Sequence, residues 1–369
     1  MIRTSIRRAV VPGIAVIALA VTGCGASNES DGGSASDGDS GTSLSGELAG
    51  GGASSQDSAQ QAWRAAFQGE NSGVTITYDP VGSGAGRESF ISGAYLFAGT
   101  DSYISDDEGE LTKATDTCGA EPIEVPAYVS PIAVIFNLPG VDSLNLDAKT
   151  IAGIFAGKIT TWDDAAIAAL NDGVDLPSTK IAPVHRSDDS GTTKNFTDYL
   201  SKAGDGAWTD DPSDTWPLKG GESAEGTSGV VAAVKGGEGT IGYADDSQAG
   251  GLGKVSIKVG EAFNAPSADG AAKALEVSKP VEGRGEGDMA FDIDRTTTEE
   301  GAYPLLLTSY LLACPTYDDA NDAELVKAFL TYIVSSDGQQ AAADAAGSAP
   351  LPDSIAQQAT DAVSVIAGK

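Results

Sequence analysis

Three short segments of this chain place glycine and small hydroxyl residues directly ahead of a helical pattern. They are Gly50-Gly51-Gly52-Ala53-Ser54-Ser55, Gly82-Ser83-Gly84-Ala85-Gly86 and Ser187-Asp188-Asp189-Ser190-Gly191-Thr192-Thr193. The first N–H groups of a helix have no partner within it, and the aligned peptide dipoles put partial positive charge at that end. Such a turn can hold an oxyanion: glycine lets the backbone approach closely, and Ser or Thr hydroxyls add donors without bulk. Any one of these segments taken alone is accounted for by ordinary N-capping, since Ser, Thr, Asp and Gly are favoured caps. The GSGAG run also lacks the lysine of a phosphate-binding P-loop. Three such turns on one chain make a stronger pattern. Arg186, four residues before Ser190, adds a guanidinium fork that matches the same oxygens.

The elements needed to position these turns are legible. Val74-Thr75-Ile76-Thr77-Tyr78, bounded by Gly73 and Pro80, is β-branched and aromatic and predicts a strand. Ile132 to Phe136 is a continuous apolar run, as is Pro304 to Leu312, which suits strands buried on both faces. Ala59, Ala62, Trp63, Ala66 and Phe67 recur at helical spacing, as do Phe196, Tyr199 and Leu200, and Leu325, Ala328, Phe329 and Ile333. Strands alternating with helices predict an α/β fold on a mainly parallel sheet. The Gly-, Asp-, Ser- and Pro-rich stretch from Ala207 to Thr227 reads as a long surface excursion.

Composition narrows the chemistry. The 369 residues suffice for two domains with real cores, and 41% hydrophobic content excludes wholesale disorder. Fifty-three acidic against 22 basic residues give a net charge of −31, which repels a phosphodiester backbone and argues against a nucleic-acid partner. One His and three Cys are too few for a zinc or copper enzyme, and no calcium-loop pattern occurs, so no metal or cofactor is expected. His185 with Ser190 is the one Ser/His pairing near these turns, and no G-x-S-x-G elbow supports a hydrolase; the chain is not expected to be an enzyme.

The N-terminus has the form of a targeting segment. Arg3, Arg7 and Arg8 precede an apolar run from Ala9 to Val21, too short for a bilayer span and interrupted by Pro12. It ends in Val21-Thr22-Gly23-Cys24, which resembles a bacterial lipobox, so residues 1–23 are expected to be removed and Cys24 lipidated. Loss of the three arginines takes the charge from −31 to −34. Residues 24–43 are Gly-, Ser- and Asp-rich and read as a flexible tether. The expected location is the outer face of the cell membrane, with membrane contact only through the lipid. Export makes a disulfide between Cys118 and Cys314 plausible, two reduced thiols being the alternative.

Val184-His185-Arg186-Ser187-Asp188-Asp189-Ser190-Gly191-Thr192 resembles the R-x-D-x-S-G-T signature of the phosphate-binding subunits of bacterial high-affinity phosphate ABC transporters. Leu146-Asp147-Ala148-Lys149-Thr150-Ile151, Phe155 to Asp164, Gly239-Thr240-Ile241-Gly242-Tyr243 and Ala302-Tyr303-Pro304-Leu305 are similar to further blocks of that family. The resemblance implies a periplasmic-binding-protein-like α/β fold of type II, with lobe one at 44–127 plus 303–369, lobe two at 128–302 and a ligand cleft between them. It implies inorganic phosphate held by Ser54, Ser55, Ser83, Asp101, Arg186, Ser190, Gly191 and Thr192, with Ser54 giving a hydroxyl, Ser55 an N–H, and Asp188 orienting Arg186. Ser54-Ser55 stands where the family usually has Thr-Phe. An ionised Asp101 can only accept, so it favours an anion that still carries a proton: hydrogen phosphate over sulfate. Both cysteines would fall in lobe one. The implied partners are the permease and ATPase subunits of the transporter, and the implied state is a monomer. A binding protein for sulfate or molybdate is the alternative, and a secreted phosphomonoesterase a more distant one.

Overall fold

The computed structural model describes residues 44–369 except 108, 142 and 286; the expected signal segment, Cys24 and the tether lie outside the described residues. The strands are β1 Ser45–Gly52, β2 Gly73–Asp79, β3 Phe97–Thr100, β4 Ile123–Asn137, β5 Leu144–Leu146, β6 Ala182–Arg186, β7 Glu222–Ala224, β8 Thr240–Asp245, β9 Gly253–Val259, β10 Ala262–Asn264, β11 Lys279–Pro280, β12 Phe291–Asp292, β13 Leu306–Ala313, β14 Thr316–Tyr317 and β15 Ala367–Gly368. Helices that bear on the site or the core are α1 Asp57–Glu70, α2 Ser83–Ile91, α3 Glu110–Cys118, α4 Ala148–Phe155, α5 Ala165–Ala168, α6 Gly191–Ala203, α7 Gly226–Gly236, α8 Ala268–Glu276 and α9 Ala320–Val334.

Local pattern explains most of these elements. In β2 the alternation puts Val74, Ile76 and Tyr78 inside and their neighbours outside. β4 is buried along all but its last residue, as its unbroken apolar run requires. α1 buries Ala59, Trp63 and Phe67, but Ala66 is exposed, and Gln60 is buried instead, its amide bonded to Gln56. Phe67 and Phe97 both meet Phe329 of α9 edge-on, at 5.4 and 5.6 Å between ring centroids.

One 11-stranded sheet runs β2-β1-β3-β13-β4-β8-β6-β7, with β9 attached to β4, β5 and β10. β1 is parallel to β2 and β3, and β6 is parallel to β7 and β8. β13 is antiparallel to both β3 and β4, and β4 is antiparallel to β8 and β9. The sheet is therefore mixed, not mainly parallel. Helical crossovers such as β1-α1-β2 produce parallel pairs, whereas β13 is inserted between β3 and β4 and runs against both.

The Ala207–Thr227 stretch runs along the surface, with more than half of its residues exposed, but two tryptophans tie it down: Trp208 is buried, Trp216 lies 5.3 Å from it, and Trp216 stacks on His185 at 4.9 Å. β7, within the same stretch, extends the sheet beside β6. The two tryptophans anchor a stretch whose composition is otherwise polar, because each buries a large apolar area. A disulfide joins Cys118, at the end of α3, to Cys314, just after β13.

Candidate functional site

The three glycine turns meet. β1 ends at Gly52, β2 leads into the turn before α2, and β6 ends at Arg186 before the turn into α6. The N–H of Gly82 donates to the carbonyl of Gly52 at 2.9 Å, and that of Gly84 to the carbonyl of Asp189 at 3.1 Å. The approach is close enough that two glycines cannot be replaced without displacement. A Cβ on Gly191 would lie 2.7 Å from the Ser102 nitrogen and 2.8 Å from Ser83 Oγ. One on Gly82, whose φ is +100°, would lie 2.6 Å from an Asp188 carboxylate oxygen. The N-termini of α2 and α6 thus face each other across backbone contact.

Between them sits the carboxylate of Asp101, immediately after β3. Its Oδ2 accepts from the Ser55 hydroxyl at 2.6 Å and from the Thr192 hydroxyl at 3.0 Å. Oδ1 accepts from the Ser309 hydroxyl at 2.7 Å. Ser309 in turn accepts from Gln56 Nε2 at 2.8 Å, which turns its own proton toward Asp101. Burial raises the Asp101 pKa above the ordinary carboxylate value, against the three hydroxyl bonds and the charge of Arg186, which favour the ion.

The remaining expected residues lie in the same place, all buried except Asp188, which is half-buried. Ser83 Oγ accepts from the Asp101 N–H at 3.1 Å, which leaves the Ser83 proton to donate elsewhere. Ser190 caps α6, its Oγ accepting from the Thr193 N–H at 3.2 Å, and Gly191 is the first residue of that helix. Arg186 donates from Nε to Asp188 Oδ1 at 2.7 Å and from Nη2 to Oδ2 of the same carboxylate, a bidentate pair. Burial would raise the Asp188 pKa, but the bonds and charge of Arg186 and the Gly226 N–H hold it below the ordinary value.

Two hydroxyl roles differ from expectation. Ser55 brings its side chain, rather than an N–H alone, to Asp101. Ser54 lies within 3.1 Å of the Thr227 hydroxyl and accepts from the Thr227 N–H at 3.1 Å, at the start of α7. Sequence reading missed Ser309, Thr227, Gln248, which donates to the Ser54 carbonyl at 2.9 Å, and Asn195, which donates to the Asp101 carbonyl at 2.6 Å. Only Asn195 carried a signal, standing four residues after Gly191 and so on the same face of α6. Among the described residues no group of three or more His, Cys, Asp or Glu is arranged to hold a metal ion.

A sheet threaded by two long antiparallel strands, with opposed helix N-termini closing on one buried carboxylate, defines a solute-binding protein; the family model described as a PBP superfamily domain matches residues 36–337. The chain is 35% identical to the phosphate-binding protein PstS2 of Mycobacterium bovis (strain BCG / Pasteur 1173P2), covering 94% of this chain and 95% of that one. It is 36% identical to the phosphate-binding protein PstS 3 of Mycobacterium leprae, over 96% and 97% of the two chains. The chain belongs to this family of phosphate-binding proteins. Its fold is also that of the high-affinity periplasmic phosphate-binding protein PfluDING, with TM-score 0.68, 22% identity and coverage of 85% and 92%. A phosphate-binding protein from Stenotrophomonas maltophilia matches with TM-score 0.64, 20% identity and coverage of 86% and 93%.

Proposed function

We propose that this chain is a binding protein, not an enzyme, that captures inorganic phosphate outside the cytoplasm and delivers it to the permease and ATPase subunits of an ABC importer. The lipid on Cys24 would hold it at the outer membrane face as a monomer. Lobe one would comprise 44–127 and 303–369, and lobe two 128–302, with Ser54, Ser55, Ser83 and Asp101 closing on Arg186, Ser190, Gly191 and Thr192.

One observation carries the reading: a buried carboxylate lies between the N-termini of α2 and α6, where an acid would otherwise be out of place. Every bond to its oxygens comes with a proton from the donor, so an anion that takes the place of Ser55 or Thr192 beside Asp101 must bring a proton of its own. Hydrogen phosphate does so; sulfate at neutral pH would set two acceptors against each other. The displaced hydroxyls and the free proton of Ser83 then turn to the phosphate oxygens. Arg186, locked by Asp188, offsets the added negative charge. The overall acidity does not prevent this, because salt screens charges beyond about 10 Å.

Calorimetric titration of the full chain, stripped of bound anion, tests the reading. Tight single-site binding of phosphate without a sulfate response is expected, and Asp101→Asn is expected to lose the discrimination. Equal binding of both anions by the unaltered protein would remove Asp101 from the cleft and phosphate from the assignment.

A further inference from the structure

Arg87 on α2 is almost fully buried, and nothing in the anion site accounts for it. Its guanidinium divides between two directions. Nε donates to Glu110 Oε2 at 2.8 Å, and Nη1 to the hydroxyls of Thr100 at 3.1 Å and Ser102 at 2.9 Å, all from residues 44–127. Nη2 donates to Asp214 Oδ2 at 3.2 Å, from the stretch that precedes β7. Ser102 closes the ring, its hydroxyl donating to Asp214 Oδ1 at 2.9 Å. The backbone carbonyl of Asp214 accepts from the Ser190 N–H at 3.0 Å, so the residue that takes the arginine also anchors the cap of α6. Lys194, on α6 itself, stands 3.9 Å from the same carboxylate.

We propose that Arg87, Ser102 and Asp214 form a clasp across the cleft that holds the protein closed and so sets how long phosphate stays bound. The inference rests on the proposed closure of 44–127 against 128–302 around the anion. Opening must part the Asp214 bonds to Arg87 and Ser102, while Glu110, Thr100 and Ser102 remain with the arginine. Charge-assisted bonds of this kind, from a buried guanidinium to a half-buried carboxylate, are stronger than bonds between neutral groups. Their loss lowers the barrier to opening more than it affects encounter, because the anion meets the open form, in which the clasp is already parted. These are positioning residues: none of them needs to touch phosphate.

Rapid-mixing kinetics with inorganic phosphate on the full chain separate association from dissociation. Asp214→Asn keeps the shape and its carbonyl bond to Ser190 but removes the charge. It is expected to speed dissociation about ten- to hundredfold, the range for a lost bond to a charged group, and to change association less than about threefold. Glu110→Gln weakens Arg87 from its own side and is expected to lower thermal stability without speeding dissociation. Unchanged dissociation in Asp214→Asn, or equal acceleration in both variants, overturns the clasp. Hydrogen exchange of segments 100–103 and 187–192 is a second readout that does not need phosphate. Faster exchange of both in Asp214→Asn supports the clasp even if the unaltered protein binds no phosphate, a result that would defeat the functional reading alone; unchanged exchange in that case overturns the clasp too.

Discussion

Asp245, the last residue of β8, is an acid that the anion site does not use, buried with one carboxyl oxygen, Oδ2, lacking a hydrogen-bond partner among the described residues. Its Oδ1 accepts from both the N–H and the hydroxyl of Ser247. Burial pushes its pKa up to about 7, against the bonds from Ser247 and with help from the charge of Asp101. Because the folded value lies above the ordinary 3.8, the folded state keeps this proton where the unfolded chain has lost it. The associated stability is fully present below about pH 4 and is lost as pH rises through about 7, reaching about 4 kcal/mol at three units of difference. Asp245→Asn, which can still accept from Ser247, is therefore expected to raise the Tm at pH 8 and leave it nearly unchanged at pH 4. Melting curves at the two pH values check this; an equal effect at both would mean that the carboxyl does not hold its proton in the folded protein.

Helix α6 shows how an element can be built for closure at its own expense. Gly191 at its first turn is a poor helix former, yet no Cβ fits between it and Ser102, Ser83 and Asp101. Gly191→Ala is expected to weaken phosphate binding at least about tenfold and to lower the Tm, because the clash with backbone outweighs the roughly 1 kcal/mol by which Ala favours a helix. Calorimetry and melts on one preparation read both, and an unaltered affinity would show that the backbone at Asp101 and Ser102 can retreat. The part of this site carried by α2 and α6 was legible because glycine, hydroxyls and Arg186 are contiguous in sequence. Ser309 was not: it stands inside the apolar run of β13 and reaches Asp101 only through the pairing of β13 with β3. The same holds for Thr227, Gln248 and Asp214, which stand among other polar residues and are singled out only by chain topology. For Ala207–Thr227 composition foretold the exposed course but averaged over Trp208 and Trp216, which pin the stretch beside His185. The strand and helix runs themselves were readable from periodicity, apart from the direction of β13 and β4, which no local pattern encodes.

At the scale of the whole molecule, the Cys118–Cys314 bridge closes a loop spanning 196 positions. The chain-entropy argument puts its contribution at no more than about 5 kcal/mol. Melts with and without reductant are expected to differ by several degrees, with two thiols becoming available to alkylation after reduction. An unchanged Tm after proven reduction would place the bridge's contribution near zero.

The sheet order β3-β13-β4 also governs when this protein can become itself. β3 and β4 are made early and lie close in sequence, but they do not touch as sheet neighbours; the strand between them is synthesised almost two hundred residues later. Until Leu306–Ala313 emerges, the buried edge of β4 has no β13 to pair with, and Ser309 is not there to meet Asp101. Long-range pairing of this kind makes folding slow, because loop closure must precede the contacts that reward it. A chain so ordered stays unfinished through most of its synthesis, because the strand that joins β3 to β4 is among the last parts made.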